Sequence, residues 1–302
     1  MRGSRVAGSA AAVVIAVVAV GCDTGRGAGG GGANGRAPEG LVVAGEPPAS
    51  PYGGPLLVRH GNGGREIDND TPEGMRLLSG AAGRALECEG AIYSGGGGDT
   101  WSEGDGGATP EEGLAAFFDM QQPDLPRYGY RVEAEADGRV LYSFDVKGRT
   151  RIAVVVAEDQ PGRPGWGPDT SASCDPAELP AAFTDTRGYE IWTDTDGRRV
   201  PVTRVTGYSG AEHCAWEKAH FVELDATTDR ASYARDPEGV LPASMLTSRY
   251  DGSAALPDDA RDTRYRLGDR ELWLAADGSR AYVRTPAGVE AWPEVKDGMA
   301  CA

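Results

Sequence analysis

The sequence predicts an α+β fold dominated by β-sheet and divided into two tandem related domains, each with one disulfide, after a disordered linker. Two observations on the folded part predict it: an even set of four cysteines with matched spacings, and apolar segments separated by glycine turns in both halves. A third observation, a glycine- and proline-rich stretch ahead of these segments, predicts the linker.

The start of the chain has the pattern of an export signal. Arg2 and Arg5 precede an uncharged run from Val6 to Val20, which is shorter than the roughly 20 apolar residues that span a bilayer. Small residues then lead to Cys22, and the segment resembles the lipobox of bacterial lipoproteins, whose cysteine is diacylated and begins the mature chain. The resemblance implies lipid attachment at Cys22 and anchoring to the outer face of the cell membrane. An uncleaved signal anchor and a soluble secreted protein are the alternatives.

The residues after Cys22 have the composition of a tether. Glycine and alanine dominate from Gly25 to Gly35, and several prolines follow, so little apolar surface is available to offset the entropy of ordering. The predicted parts are therefore a signal peptide (1–21), a lipid-anchored flexible linker (22–54), a first α+β repeat (55–180) and a second α+β repeat (188–302).

The charge balance limits the possible partners. The chain carries 30 basic and 46 acidic side chains, for a net charge of -16. Binding to nucleic acid depends on clustered Lys and Arg, so we expect no nucleic-acid partner. Contact with an anionic membrane surface is expected only through the lipid anchor.

The cysteines beyond Cys22 favour two bridged repeats. Four cysteines allow three pairings. The separation of Cys88 from Cys174 is almost the same as that of Cys214 from Cys301, and Gly113 and Gly239 follow the first cysteine of each pair at equal distances. We therefore predict Cys88–Cys174 and Cys214–Cys301 as bridges within the repeats.

Both halves also contain similar hairpin patterns. Each has an apolar segment that begins with Tyr-Arg, a second one that begins with Arg, a glycine turn and a third apolar segment. In the first half these segments start at Tyr130, Arg139 and Ile152; in the second half they start at Tyr265, Arg270 and Ala281. A tandem duplication explains the correspondence.

Other elements follow from local signals. Proline and two acids after Thr109 predict a helix over Pro110–Met120, and Pro242 predicts that its counterpart over 237–245 is brief. Tyr189–Trp192 and Val200–Val205 are predicted as a hairpin, and Phe221–Leu224 as a strand. Residues 175–188 are predicted to connect the repeats.

Potential metal ligands occur in two places. His213, Glu217 and His220 are close in sequence, but the histidines are seven positions apart and would lie on opposite faces of a strand. Asp194 and Asp196 have the spacing that begins a calcium loop, yet the later ligands are missing and an Asp-Gly turn explains them. We predict no metal site.

Catalytic motifs are scarce. The sequence contains no Gly-x-Ser-x-Gly, His-Glu-x-x-His or phosphate-binding loop, and His60 lies in a glycine-rich turn. Asp99, Glu103 and Asp105 lie in a glycine-rich stretch that we interpret as a surface insertion. We therefore predict no catalytic residue and no cofactor.

The six tryptophans allow two interpretations. They could line a carbohydrate groove, but Trp166 and Trp292 recur shortly before Cys174 and Cys301, which favours core packing against the disulfides.

The second half carries a family resemblance. Ala211–Trp216, Tyr233–Leu241, Arg270–Gly278 and Glu290–Pro293 look like segments of uncharacterised lipoproteins of high-GC Gram-positive, actinobacterial bacteria. The resemblance supports the anchored location and implies no catalytic residue. We expect a non-catalytic binding or structural module for an envelope component or a protein; a cell-envelope hydrolase without a recognisable motif is the alternative.

Overall fold

The computed structural model describes residues 52–58, 67–68, 71–97, 104–120, 125–225 and 231–296, all within one compact unit. Of these residues 43% are strand and 18% helix, so the fold is sheet-dominated, as the sequence predicts, and the described strands form three sheets. The predicted signal peptide, Cys22 and nearly all of the predicted linker lie outside the described residues. No helix in the described part is long and apolar enough to cross a membrane.

The first half forms one antiparallel five-stranded sheet with helices. Its strands are arranged in the order β1-β5-β4-β3-β2. In chain order the elements are α1 (Pro72–Leu78), α2 (Gly80–Ala85), β1 (Ile92–Gly97), α3 (Pro110–Met120), β2 (Tyr130–Ala136), β3 (Arg139–Val146), β4 (Arg149–Gln160) and β5 (Arg163–Cys174).

Helix α3 has the bounds that the sequence predicts. Pro110 is its first residue, and the Thr109 hydroxyl accepts a hydrogen bond from the Glu112 N–H at 3.3 Å. Its side chains Leu114, Phe117 and Phe118 are buried against the sheet. Gly113 permits this close approach, because a Cβ there would lie 3.1 Å from atoms of Trp166.

Both faces of the first sheet are covered. On β4, Ile152, Val154 and Val156 pack in the cluster that includes α3, whereas Ala153 and Val155 pack in the cluster that includes α2. Successive strand residues point to opposite faces, so burial on both sides explains the unbroken apolar sequence of β4.

A bulge in β5 changes which face its side chains occupy. Val155 pairs with Thr170 and Val156 with Pro168, which leaves Asp169 as an extra residue. As a result Trp166 packs on the α3 side of the sheet while Cys174 packs on the opposite side. The prediction that Trp166 packs against the disulfide is therefore wrong.

The second half contains two antiparallel sheets. One has the order β6-β7-β8 and the other β10-β11-β12-β13-β9. The strands are β6 (Val205–Ser209), β7 (His220–Leu224), β8 (Ala231–Arg235), β9 (Asp251–Ala254), β10 (Arg261–Leu267), β11 (Arg270–Leu274), β12 (Arg280–Thr285) and β13 (Gly288–Pro293).

Two local predictions differ from the structure. The predicted hairpin between Tyr189 and Val205 forms only around its turn: Thr193 bridges Arg199, and the Val200 N–H donates to the Trp192 carbonyl at 2.8 Å. On its other edge Thr193 bridges Arg266. The helix expected over 237–245 is a single 3₁₀ turn at Ala243–Met245, in keeping with Pro242 directly before it.

The two sheets of the second half pack face to face. Val222 and Tyr233 from one sheet meet Leu272 and Trp292 from the other, with Trp192 completing the core. The opposite face of β7 is covered through Phe221 by a separate apolar cluster from 219–246. The second half is thus a β-sandwich with a local third layer.

The connection between the halves is well ordered. It contains a 3₁₀ turn at Pro176–Glu178, a short helix α4 (Ala181–Thr184) and a second 3₁₀ turn at Asp185–Arg187. The Asp175 carboxylate accepts N–H groups of Ala177 at 2.8 Å and Val202 at 3.0 Å. Burial raises the pKa of Asp175, although these donors act in the opposite direction. One carboxylate therefore joins the end of the first half to the second half.

The five-stranded sheets share their connectivity. Four consecutive strands form a meander in each, and the strand that precedes the meander in sequence pairs with its last strand. Gly113 and Gly239, by contrast, have different roles: Gly113 permits helix packing, whereas Gly239 has a φ of 69° in a turn.

Candidate functional site

A cleft of about 380 Å³ opens at one end of the sandwich in the second half. Ser209, His220 and Arg235 are register partners across β6, β7 and β8, so they form one row on the face that carries Val222 into the core. The cleft is lined by Glu190, Ser209, Glu217, Lys218, Ala219, His220, Arg235, Arg270, Val283, Thr285, Glu290 and Trp292. It lies within the second half, not between the halves.

Glu190 and His220 form a hydrogen-bonded pair at the base of this row. His220 Nε2 lies 3.1 Å from Glu190 Oε2, and since a carboxylate only accepts, Nε2 carries the proton in this contact. Gly207 provides the space: a Cβ there would lie 2.1 Å from Glu190 Oε2 and 3.1 Å from His220 Nε2. The absence of a side chain at Gly207 is therefore required for the pair.

Glu290 is held from both sheets. Arg235 donates to it through Nε at 2.8 Å and Nη2 at 3.2 Å, and the Trp292 indole N–H donates at 2.9 Å. Burial raises the pKa of Glu290, but the hydrogen bonds from Arg235 and Trp292 outweigh it and hold the pKa below its usual value. The Trp292 ring also contacts the His220 ring edge-to-face, with centroids 5.8 Å apart.

Two charged groups of the cleft have no partner among the described residues. Arg270 lies two positions before the core residue Leu272, which directs it to the inner face, and it makes no hydrogen bond or ion pair there. Glu217 is likewise unpaired. Lys218, in contrast, is paired with Glu238 at 2.7 Å. The cleft thus offers a cation and an anion to a ligand.

Comparison with known protein families, curated proteins and solved structures gives no match. The geometry of the described residues is therefore the basis for any assignment of function.

The predicted disulfide cysteines are partly described. Cys88 and Cys174 form a disulfide, which is the first of the two predicted pairs. Cys214 is also disulfide-bonded, but its partner is outside the described residues, as is Cys301, so the Cys214–Cys301 pairing stays a prediction.

The first disulfide packs in the apolar cluster that includes α2, and polar groups lie beside it. The Glu178 carboxylate accepts the N–H groups of Glu89 and Gly90 and pairs with Arg151. Glu178 also forms, with Cys88 and Cys174, a grouping of potential metal ligands. Both sulfurs are in the disulfide, so no thiolate is available to a metal there.

The sequence cluster around His213 is divided by the fold. His213 is exposed on a 3₁₀ turn at Glu212–Cys214, whereas Glu217 and His220 both line the cleft. His220 is bonded to Glu190 and not to Glu217. Asp194 accepts the N–H groups of Asp196 and Arg198 and pairs with the Arg198 side chain, which is the geometry of a turn.

Several residues considered from the sequence fall elsewhere. His60, Asp99, Trp101 and Glu103 lie outside the described residues, and Asp105 lies in a described segment at the surface. Trp192 and Trp292 are almost fully buried, with exposed fractions of 1% and 2%, so neither offers a stacking surface to a sugar.

Sequence reasoning missed Glu190, Arg235, Arg270 and Glu290. All four share a detectable signal: each lies two positions from a core residue of its segment. That pattern identifies the inner face of a strand, but it does not tell which strand ends meet.

Proposed function

We propose that this protein is an extracytoplasmic lipoprotein, anchored to the outer face of the cell membrane through Cys22, and that it acts as a non-catalytic binding module. The basic start, the apolar run and the small residues before Cys22 support the anchor. Its acidic charge favours solubility of the body beyond the membrane.

The cleft at the open end of the sandwich is the proposed ligand site. The observation that carries this assignment is Arg270, a guanidinium on the inner face of a polar cleft with no partner among the described groups. Glu190, His220, Arg235 and Glu290 are held in place by their mutual contacts and give the cleft a fixed shape. Concave sites of this size with a few placed polar groups are typical of small-ligand binding.

The anchor is tested in the full-length chain expressed in a bacterium that processes lipoproteins. We expect Cys22→Ser to move from the detergent phase to the aqueous phase on phase partitioning and to lose the mass of the acyl chains. Thr24→Ser, two residues later, is the control and should stay in the detergent phase. Full retention of Cys22→Ser in the detergent phase would contradict the assignment.

The cleft is tested with the full-length protein in detergent by saturation-transfer NMR. The probes are a mixture of amino acids, sugar acids and dicarboxylic acids. At least one probe should bind the wild type and lose its signal with Arg270→Glu, but not with Arg264→Glu, an exposed position on the same sheet. Equal signals in both variants, or none with the wild type, would exclude the cleft as a small-ligand site.

We also infer that the two halves arose by duplication and that Cys214 is bonded to Cys301. The shared meander and the matched cysteine spacings support this. Peptide mapping without reduction should recover Cys214 joined to Cys301. Recovery of Cys214 joined to Cys22 would exclude both the pairing and the lipid attachment.

A hydrolase remains the second candidate because of one arrangement. Ser209 is the register partner of His220, which is bonded to Glu190, so a hydroxyl, an imidazole and a carboxylate share the cleft. In the described structure, however, no hydrogen bond joins Ser209 to His220, and a nucleophile requires one. Hydrolysis of p-nitrophenyl acetate that disappears in Ser209→Ala would establish the hydrolase and contradict the binding module.

A further inference from the structure

A second cavity lies beside the cleft. It has a volume of about 610 Å³ and is formed by the turn after β8 and the segment before β9. Its lining combines apolar with polar and charged residues and is formed by Asp236, Pro237, Glu238, Gly239, Leu241, Ala243, Leu246, Thr247, Ser248, Arg249 and Tyr250. We call this cavity the outer pocket.

Two contacts join the outer pocket to the cleft. Lys218 of the cleft pairs with Glu238 of the outer pocket at 2.7 Å, and Arg235 of the cleft stacks on Tyr250 of the outer pocket at 5.8 Å. The two cavities are therefore neighbours at the same end of the sandwich. More than half of the Lys218 and Glu238 side chains is exposed, and exposed pairs contribute about 0–1 kcal/mol, so a ligand can replace this contact at little cost.

The chemistry of the two cavities differs. The cleft carries Arg270, whose planar guanidinium binds a carboxylate through two parallel hydrogen bonds, together with Glu190 and Glu217 as acceptors. The outer pocket carries the solvent-accessible apolar side chains of Pro237, Ala243 and Tyr250 in front of the buried Leu241 and Leu246, and this lining suits an apolar side chain. A ligand that matches both has an anionic end and an apolar group further along a chain.

We propose that the cleft and the outer pocket together bind a short peptide by its free C-terminal carboxylate. The carboxylate pairs with Arg270, N–H groups of the last residues donate to the carboxylates of the cleft, and an upstream apolar side chain enters the outer pocket. This inference rests on the proposed function, because it names the ligand of the same site. A peptide is favoured over a glycan because Trp292, the tryptophan of the cleft, is 2% exposed and offers no stacking face.

The test measures binding to the full-length protein in detergent by isothermal titration calorimetry. The probes are acetylated pentapeptides of alanine in which a single leucine occupies each upstream position in turn, as free acids and as C-terminal amides. At least one leucine peptide should bind about tenfold more tightly as the acid than as the amide, and about tenfold more tightly than the all-alanine acid.

Three variants distinguish the two cavities. Arg270→Gln should abolish the preference for the acid over the amide, and Ala243→Trp, which fills the outer pocket from an exposed position, should abolish the preference for leucine. Arg264→Gln is the control and should retain both preferences.

The outcomes separate this inference from the proposed function. If no peptide binds, or if acid and amide bind equally, the peptide is excluded, whereas an Arg270-dependent signal from the small acids would leave the cleft as a binding site. If Ala243→Trp leaves the leucine preference unchanged, the outer pocket is not part of the site. Binding of an oligosaccharide of uronic acids with the same dependence on Arg270 would overturn the choice of a peptide.

Discussion

The β1–β5 sheet is covered by helices on both faces, whereas the outer face of the β9–β13 sheet carries exposed side chains such as Arg264 and Arg284. This difference extends to the charged groups. In the first half Arg131 is 7% exposed and is bonded to Glu133 and Asp145, and Arg151 is 4% exposed. In the second half Arg270 is exposed at the mouth of the cleft without a partner in the described part.

The number of layers that cover a sheet determines whether its charged side chains are paired within the protein or reach solvent. A charged side chain on a sheet covered on both sides must find its partners within the protein, because an isolated buried charge is costly. Two sheets in a sandwich leave their ends open, so charged side chains in the last row of the inner faces reach solvent. Under the proposed function, binding would therefore depend on the second half, whereas the buried charge pairs of the first half contribute to stability.

The largest expected difference in stability comes from replacing one arginine by glutamine in each half. Arg131→Gln leaves Glu133 and Asp145 without their cation, and we expect it to lower the free energy of unfolding by about 3–5 kcal/mol. Arg270→Gln removes no internal contact and should change it by less than about 0.5 kcal/mol. Urea denaturation of both variants measures the difference. Similar losses in the two would contradict the division of roles.

A second prediction compares neighbouring strand positions. Val154→Thr and Val155→Thr each place a hydroxyl in a covered face, and each should lower the free energy of unfolding by about 1–3 kcal/mol. On β12 only the inner position responds in this way: Val283→Thr should cost as much, whereas Arg284→Thr, which loses an exposed ion pair with Glu271, should cost at most about 1 kcal/mol. Thermal melting of the four variants checks this pattern. A cost at Arg284 equal to that at Val283 would show that the outer face is covered.

The smallest expected effect is the pH-dependent contribution of Glu290 to stability. Because the pKa of Glu290 is lower in the folded state than its usual value of 4.5, its contribution to stability is present above about pH 4.5 and is lost as the pH falls through the folded-state pKa. Glu290→Gln should therefore be less stable than wild type by on the order of 1 kcal/mol at pH 7, and the difference should shrink in acid. Glu212→Gln, at an exposed turn, is the control. A difference that stays constant from pH 7 to pH 3 would exclude the ion pair as its cause.

Local features of the fold could be predicted from the sequence. The proline and acids at the start of α3 fix that helix, and the glycine turns between apolar segments fix the hairpins of both meanders. The Tyr189–Val205 hairpin is shorter than predicted, and the bridge from Thr193 to Arg266 joins it to a distant strand, a contact that no local pattern reveals.

The site could be predicted only in part. The sequence indicates Glu217 and His220 as potential metal ligands together with His213, but the fold places His213 on a separate turn. Glu190, the hydrogen-bond partner of His220, lies outside the strands, whereas Glu290 reaches the cleft through strand register, and both are far away in sequence. The sequence alone does not specify that register.

The extra residue in β5 makes the length of that strand as important as its composition. Asp169 shifts the alternation of side chains, so the strand supplies Trp166 to one layer and Cys174 to the other. Deleting this single residue would turn the following side chains through half a rotation and point the Cys174 sulfur away from Cys88. A substitution at Asp169 removes its hydrogen bond from Arg139 Nε, 3.1 Å long, but keeps the alternation of side chains, whereas deletion of the residue also loses the spacer that sets this alternation.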